Sequence, residues 1–166
     1  MMARRFSLNP NKSFRENASL VIPVLIANFL SHTNRVAAHP RLKTELHRMR
    51  LEGKPLRYAM EVFEPAFGKD FTTFLEEVKR LLDIMGKVHD CDVNIPKLQA
   101  HLHEVQLYNK IASRAQDKIR TGALTRLIRE QHAYRRSLFQ EMTGILEQWA
   151  HDGFESNLAM TMAIAR

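Results

Sequence analysis

The chain has 166 residues, of which 45% are hydrophobic and 26% are charged, and its formal net charge is +7 with a pI near 9.9. This balance is typical of one globular domain with a buried core. A single cysteine, Cys91, excludes an internal disulfide framework and favours a reducing compartment. The excess of positive charge favours a polyanionic partner, which includes nucleic acid, anionic lipid and phosphate polymers.

Two helices are predicted in the first part of the chain. The first covers Arg15–Ala38 and ends before His39-Pro40, because the residue before a proline avoids the helical region. The second covers Leu42–Phe63, and a bend is expected at Pro55, where a backbone donor is lost. The longest apolar run, Leu20–Leu30, is too short to cross a bilayer, so we expect no transmembrane segment and a cytoplasmic protein.

Three further helices are predicted after the turn that follows residue 64. The third begins at Asp70, a favourable N-cap, and is interrupted at Gly86. The fourth covers Pro96–Ser113, and the fifth covers Ala123–Ala150 and ends at Gly153. No segment alternates as a strand would, so we predict an all-α fold, an antiparallel bundle of about five long helices.

The bundle is expected to cover residues 15–153. A flexible N-terminus, residues 1–14, is expected before it, and an apolar, methionine-rich tail, residues 154–166, after it. The tail is interpreted either as a docked short helix or as a contact for a partner.

The second predicted helix carries the strongest functional signal. At 100° per residue, five side chains that can contact an anion share an arc of about 100° opposite the apolar side. They are His47, Arg50, Lys54, Arg57 and Tyr58. Like charges in one stripe repel each other, so an anionic partner would explain them. Arginine can bind phosphate with two donors and lysine as a point charge. The ordinary alternative is a solvated face, on which Glu61 is close enough to pair with Arg57.

The last predicted helix carries a second, looser stripe opposite its apolar side. It consists of Arg126, Arg129 and Arg136, which are predicted as further binding residues for a phosphate polymer. Arg135 instead points toward the apolar face, where a buried guanidinium needs a carboxylate. Asp90 and Asp92 are the candidate partners, and the alternative is an arginine that extends to solvent at the edge of the helix.

The chain shows no motif for a metal, a cofactor or catalysis. One cysteine and the absence of a Glu-x-x-His pair argue against zinc and di-iron sites. No Gly-x-Ser-x-Gly, P-loop or dinucleotide motif is present. Cys91 lies among acidic residues, which raise the pKa of a thiol. A histidine phosphotransfer domain is a less favoured reading of His47, because the glycine expected four residues after such a histidine is absent.

Two segments together carry a resemblance to a known family. His47-x-x-Arg50-Leu-x-x-Lys54-x-Leu-Arg57-Tyr58 is followed by Met85-Gly86-x-x-His89-Asp90-x-Asp92-Val93. This pair resembles the motifs of the CHAD family, the conserved histidine α-helical domain. The resemblance implies a helical fold whose basic faces line a groove, and non-catalytic binding of inorganic polyphosphate, often at polyphosphate granules.

The resemblance also assigns roles by motif position. The first motif supplies the ligand-facing residues, and Gly86 and Asp90 are implied to be structural, together with His89 and Asp92 of the same segment. Nucleic acid or an acidic membrane is the alternative partner, but aromatic residues for base stacking are scarce near the stripes.

Two departures from the family pattern matter. Pro55 stands where the family has a further Lys or Arg, and one copy of the helical unit is found where the family has two. The chain is therefore predicted to be a half-length member, or to form a homodimer in which two basic stripes face a shared groove.

Overall fold

The computed structural model describes residues 8–164, and all regular structure within that range is helical. Its α-helices are α1 Phe14–Leu30, α2 Thr33–Ala38, α3 Lys43–Phe63, α4 Lys69–Ile111, α5 Gly122–Asp152 and α6 Phe154–Ile164. Single 3-10 turns, Glu64–Ala66 and Ala115–Asp117, lie in two of the connections. The predicted all-α bundle is confirmed.

Helix α4 is the central element of the bundle. Helices α3 and α5 both pack on α4, α1 packs on α3, and α6 closes against α1, α4 and α5. Helix α3 runs antiparallel to α4, because Lys43 lies beside Asp92 whereas Glu61, near the other end of α3, lies 3.9 Å from Lys79. The core between these helices contains phenylalanine, methionine and leucine side chains with no exposed surface, among them Phe29, Met49, Leu56, Met60, Phe71, Leu75, Met85 and Met142.

Helices α1, α3 and α4 are closely packed at Gly53. A Cβ atom added there would overlap the Leu82 side chain of α4 and would lie 2.9 Å from Cε2 of Phe29 in α1. The glycine in the middle of α3 is therefore a packing requirement rather than a weak point of the helix.

The single first helix predicted over 15–38 is wrong, since the chain turns at Ser31 and His32 between α1 and α2. The hydroxyl of Ser31 donates to the carbonyl of Asn28 at 2.6 Å, and His32 N donates to the Phe29 carbonyl at 3.4 Å. Such local bonds compete with helix continuation. The turn lets α2 bury Val36, and the predicted stop before Pro40 is confirmed because α2 ends at Ala38.

The interruption predicted at Gly86 and the new helix predicted at Pro96 are also wrong, because α4 passes through both. Packing on two sides, along an almost continuous row of buried residues from Phe71 to Ile95, overrides their low helix propensity. Pro96 cannot donate to the carbonyl of Asp92, and Nζ of Lys43 donates to that carbonyl at 3.0 Å instead. A proline in α4 is thus tolerated where a neighbouring helix supplies the missing donor.

The ends of the helices agree only in part with those predicted from the sequence. The N-cap of α4 is Gly68 rather than the predicted Asp70, which instead lies in the first turn, where a carboxylate favours the helix dipole. Helix α5 ends at Gly153, whose φ of 70° is the left-handed conformation that glycine adopts without strain. The tail then forms α6, a docked helix that buries Phe154 and Met162.

The segment before α1 is hydrogen-bonded to it within the described residues. Asn17, only 7% exposed, donates through Nδ2 to the carbonyls of Asn9, Lys12 and Ser13 and accepts from the Asn9 amide at 2.7 Å. Residues 1–7 of the N-terminus predicted to be flexible lie outside the described residues.

The first helical stretch meets a simple criterion for a membrane-crossing helix. Residues Phe14–Ala38 contain a window with a mean hydropathy of 1.2, of which 33% is buried inside the fold. The sequence prediction was based on Leu20–Leu30 alone, which is shorter than this window. In this structure the apolar face of α1 belongs to the common core, with Ala18, Ile22 and Phe29 wholly buried.

Candidate anion-binding surface

The predicted stripe on the second helix, His47, Arg50, Lys54, Arg57 and Tyr58, lies along α3 on the side away from its buried residues. We call it the α3 stripe. Lys54 and Tyr58 are exposed, Tyr58 by 57%, whereas Arg50 and Arg57 are half-buried at the edge that borders α4. The sequence therefore predicted the face correctly.

Arg57, at the C-terminal end of the α3 stripe, is paired within the protein. Its Nε donates to Oε1 of Glu61 at 2.8 Å, and this hydrogen bond raises the pKa of the guanidinium above its ordinary value. Lys79 of α4 lies 2.8 Å from Glu76 and 3.9 Å from Glu61, and the Glu76 hydrogen bond raises the pKa of the Lys79 ammonium. The predicted Arg57–Glu61 pair is confirmed, and the positive charge at this end is partly neutralised.

Arg50 and Lys54 form the unmatched part of the α3 stripe. Within residues 8–164, no carboxylate lies within 4.0 Å of the charged nitrogens of either side chain. Arg50 extends across α4, and its Nη2 would be 3.9 Å from a Cβ placed on Gly86. Gly86 lies inside α4 and is therefore not a helix junction, which corrects the role implied for it, and a Cβ there would be in ordinary van der Waals contact with Arg50.

His47 stacks on a histidine of α4. The ring centroids of His47 and His89 are 5.9 Å apart, with 29° between the ring planes. They border a groove of about 340 Å³ whose lining also includes Lys43, Thr44, Arg48, Asp92 and Val93. Sequence reasoning missed Lys43 and Arg48 here, although Lys43 precedes His47 by four residues and therefore shares its helix face.

The two aspartates of the second motif have different roles. Asp92 binds Arg135, with Nε 2.8 Å from Oδ1, so the predicted buried pair is confirmed with this partner. The Asp90 side chain is 75% exposed and lies 3.7 Å from Nδ1 of His89. Among the described residues, Asp90 forms no ion pair with Arg135 and lies beside the ring of His89 instead.

The stripe predicted on the last helix lies on the side of that helix away from its buried residues. On α5, Arg126, Arg129 and Arg136 are exposed and lie about 120–160° around the helix from buried Met142. None of the three lines either groove described here.

A second, shallow groove runs along α4 between α3 and α5, and we call it the α4 trough. Its volume is about 480 Å³ and its lining has both signs of charge. The residues are Arg57, Glu76, Lys79, Arg80, Asp83, Ile84, Lys87 and Glu141. The continuous basic groove expected from two facing stripes is therefore not shown within residues 8–164.

The described residues contain no group of three His, Cys, Asp or Glu side chains that could hold a metal ion. Burial raises the pKa of the Cys91 thiol, and the charge of neighbouring Asp92 adds to this effect.

An all-helical bundle with unpaired cations on one helix face defines a candidate anion-binding protein. The CHAD domain family matches residues 10–99, which is more than half of the chain and includes both motifs. The chain belongs to the CHAD family. Among curated proteins and solved structures, none matches this chain.

Proposed function

We propose that this protein binds inorganic polyphosphate, without catalysis, along the α3 stripe. The observation that carries the proposal concerns Arg50 and Lys54, one turn apart on a helix face: among residues 8–164, no carboxylate lies within 4.0 Å of their charged nitrogens. Cations left unpaired by their own protein are available to an anion, and a phosphate chain offers a charge at every repeat. Membership of the CHAD family supports the same ligand.

The proposed ligand path begins at the groove lined by Lys43, His47 and His89 and continues past Arg50 to Lys54. Arg57 lies at the end of the path, where Glu61 competes for it.

Two triple variants with equal loss of charge test the site. Replacing Arg50, Lys54 and Arg57 by alanine is expected to weaken polyphosphate binding at least about tenfold at 0.1 M salt and to reduce the salt slope. Replacing Arg126, Arg129 and Arg136 by alanine removes the same charge from the outer face of α5 and is expected to have a small effect. Equal losses in the two variants would show unspecific attraction and would defeat the assignment of the site.

Nucleic acid and acidic membranes are the competing ligands. We expect polyphosphate to displace bound RNA at equal concentration of phosphate groups, because the α3 stripe has one exposed aromatic residue, Tyr58, for stacking on bases. RNA that displaces polyphosphate would favour the alternative.

A homodimer is part of the proposal. Two copies whose α3 stripes face a shared groove would present twice the number of cations to one polymer. Light scattering after size-exclusion chromatography would exclude this arrangement if it gave a monomer at micromolar concentration with polyphosphate present. We further propose a cytoplasmic location at polyphosphate granules, which a fluorescent fusion would test.

A further inference from the structure

Helices α4 and α5 extend beyond the bundle as a two-helix arm, which we define as residues 93–134. Helix α3 begins at Lys43, beside Asp92, so it does not accompany α4 along the arm. Helix α4 continues to Ile111, and at 1.5 Å per residue this carries the end of the arm about 28 Å past the start of α3. We call residues 107–120, which lie at that end, the tip.

Hydrogen bonds fix the conformation of the tip. The Asn109 side chain accepts from the amide of Ile119 and donates to the carbonyl of the same residue, both at 2.8 Å. A 3-10 turn, Ala115–Asp117, lies in the loop between the two helices. Because Ile119 is held against the last turns of α4, Ile111 and Ile119 lie at the same end of the arm.

The tip exposes large apolar side chains. Ile111 is 79% exposed, the highest value for a large apolar residue among residues 8–164, and Ile119 is 52% exposed. Single apolar residues scattered over a surface are ordinary, but here two isoleucines lie in one short loop. Removing them from water would be favourable, so the tip is suited to a partner with an apolar phase.

The same loop is the most basic part of the arm. Of the seven Lys and Arg residues in the arm, four lie in the tip, where Asp117 is the one acidic residue. The four exposed cations are Lys110, Arg114, Lys118 and Arg120. Within the described part of the chain, no carboxylate lies within 4.0 Å of their charged nitrogens. Lys110 directly precedes Ile111, and Ile119 has a cation on each side in sequence, so the charges are adjacent to the apolar residues.

We propose that the tip binds the surface of an anionic lipid membrane, with Ile111 and Ile119 inserted and the four cations at the level of the headgroups. Apolar side chains with Lys and Arg beside them match the boundary between the acyl region and an anionic headgroup layer. Nucleic acid and free polyphosphate would use the cations, but they would leave both isoleucines in water, because a phosphate backbone is bound by cations and polar groups.

The length of the arm separates this site from the α3 stripe. Charges are screened beyond a Debye length of about 8 Å at physiological salt, and the tip lies about 28 Å past the start of α3. A membrane bound at the tip therefore leaves the α3 stripe free for its own ligand. The inference goes beyond the proposed function, because it adds a second site for a different class of partner.

Flotation of the full chain with lipid vesicles tests the proposal. We expect vesicles that contain phosphatidylserine in phosphatidylcholine to bind at least about tenfold more tightly than vesicles of phosphatidylcholine alone. The double variant Ile111→Ser with Ile119→Ser keeps every charge and is expected to lose at least about tenfold in affinity, because the apolar contribution is removed. Its control, Leu20→Ser with Val62→Ser, changes residues of the bundle that are 52% and 59% exposed and should alter the affinity less than about twofold.

A second pair of variants tests the charges. Lys110→Gln with Lys118→Gln is expected to lose at least about tenfold in affinity for the anionic vesicles. Lys12→Gln with Lys69→Gln removes the same charge from exposed positions on the bundle and should lose less than about threefold. Circular dichroism confirms that each variant is folded.

A dye in the tip reports insertion directly. Cys91 is buried, so an environment-sensitive thiol dye labels the introduced cysteine of Ser113→Cys selectively. We expect its emission to rise and shift to the blue with anionic vesicles. The same dye in Ser137→Cys, an exposed position of α5 outside the tip, should stay in water and keep its emission.

Four results would overturn the proposal. The first is unchanged vesicle binding in the folded isoleucine variant, which would reduce the effect to charge. The second is bound protein whose tip dye keeps its emission in water. The third is an equal loss in the Lys12 and Lys69 variant, which would show attraction by net charge. The fourth is vesicle binding that is abolished in the triple α3 variant, since the membrane would then use the α3 stripe. Loss of polyphosphate binding alone in that triple variant would concern the proposed function only.

Discussion

Arg135 and Asp92 join three helices at one buried carboxylate. The guanidinium Nε and Nη2 lie 2.8 Å and 3.2 Å from the two oxygens of Asp92, and the two side chains are 14% and 8% exposed. Nη2 also donates to the carbonyl of Pro40, and the ammonium of Lys43 lies 3.6 Å from the same carboxylate. The start of α3 is therefore held against α4 and α5 at the end of the stripe where His47 lies.

Removing that carboxylate is expected to destabilise the fold strongly. Asp92→Ala leaves the Arg135 guanidinium buried without a counter-charge, which costs about 3–5 kcal/mol of unfolding free energy. Urea denaturation followed by circular dichroism measures this difference. The control is Arg80→Ala, which breaks an α4–α5 ion pair whose side chains are 67% and 44% exposed and should cost less than about 1 kcal/mol. Similar losses in both variants would contradict the central role of Asp92.

Gly53 is expected to reject any side chain. In Gly53→Ala the new methyl group would overlap Leu82 of α4 and press on Phe29 of α1, so α3 would have to shift. Overpacking of this kind costs about 1–3 kcal/mol.

Gly144 offers the matched control for Gly53, because it also lies within a long helix. A Cβ there meets nothing within 4 Å, so Gly144→Ala should stabilise the protein by about 0.5–1 kcal/mol. Thermal unfolding of the two variants should therefore shift in opposite directions. Stabilisation by both substitutions would mean that helix propensity, and not packing at the α1–α3–α4 contact, decides the effect at Gly53.

The sequence predicted the helical faces better than the helix ends. Faces depend on the spacing of apolar residues, which repeats over many positions, as in α3 and α5. Ends depend on single residues, whose effect packing can reverse. Gly86 and Pro96 lie inside α4, which is packed on two sides, whereas α1 ends at Leu30, where neither glycine nor proline marks the break.

The candidate site shows a similar division. The arc that contains Arg50 and Lys54 was predicted, because it depends only on the spacing of residues within one helix. The stack of His47 on His89 depends on the register between α3 and α4, which the spacing within either helix does not encode. That Arg126, Arg129 and Arg136 line neither groove depends on the packing between helices and was not predictable for the same reason.

Pro55 is expected to limit both stability and binding. It is exposed inside α3, where it cannot donate to the carbonyl of Leu51, so replacing it should stabilise the helix by about 1–3 kcal/mol. Pro55→Lys and Pro55→Glu should both gain this stability but should change polyphosphate affinity in opposite directions. Titration of polyphosphate into each variant measures the difference. Equal affinities would place residue 55 outside the ligand path.

Cys91 is expected to be unreactive in the folded protein. Its side chain is 3% exposed and its Sγ lies 3.7 Å from Oε1 of Gln131. Burial raises the pKa of the thiol, and the negative charge of Asp92 adds to the shift, so the nucleophilic thiolate is disfavoured in the native state. Alkylation by iodoacetamide at pH 8 should proceed far more slowly than in urea, and its rate should follow the unfolded population.

The raised pKa of the Cys91 thiol also predicts a loss of stability at alkaline pH. Below the ordinary thiol pKa of about 8.5, both states keep the proton and the contribution is constant. Above it, the unfolded chain releases a proton that the folded protein retains, so the unfolding free energy falls with a slope of at most about 1.4 kcal/mol per pH unit until the higher folded pKa is passed. Cys91→Ala should lack this component, while lysine and tyrosine titrations affect both proteins alike and cancel in the comparison. Parallel stability curves between pH 8 and 10 would show that the thiol does not contribute.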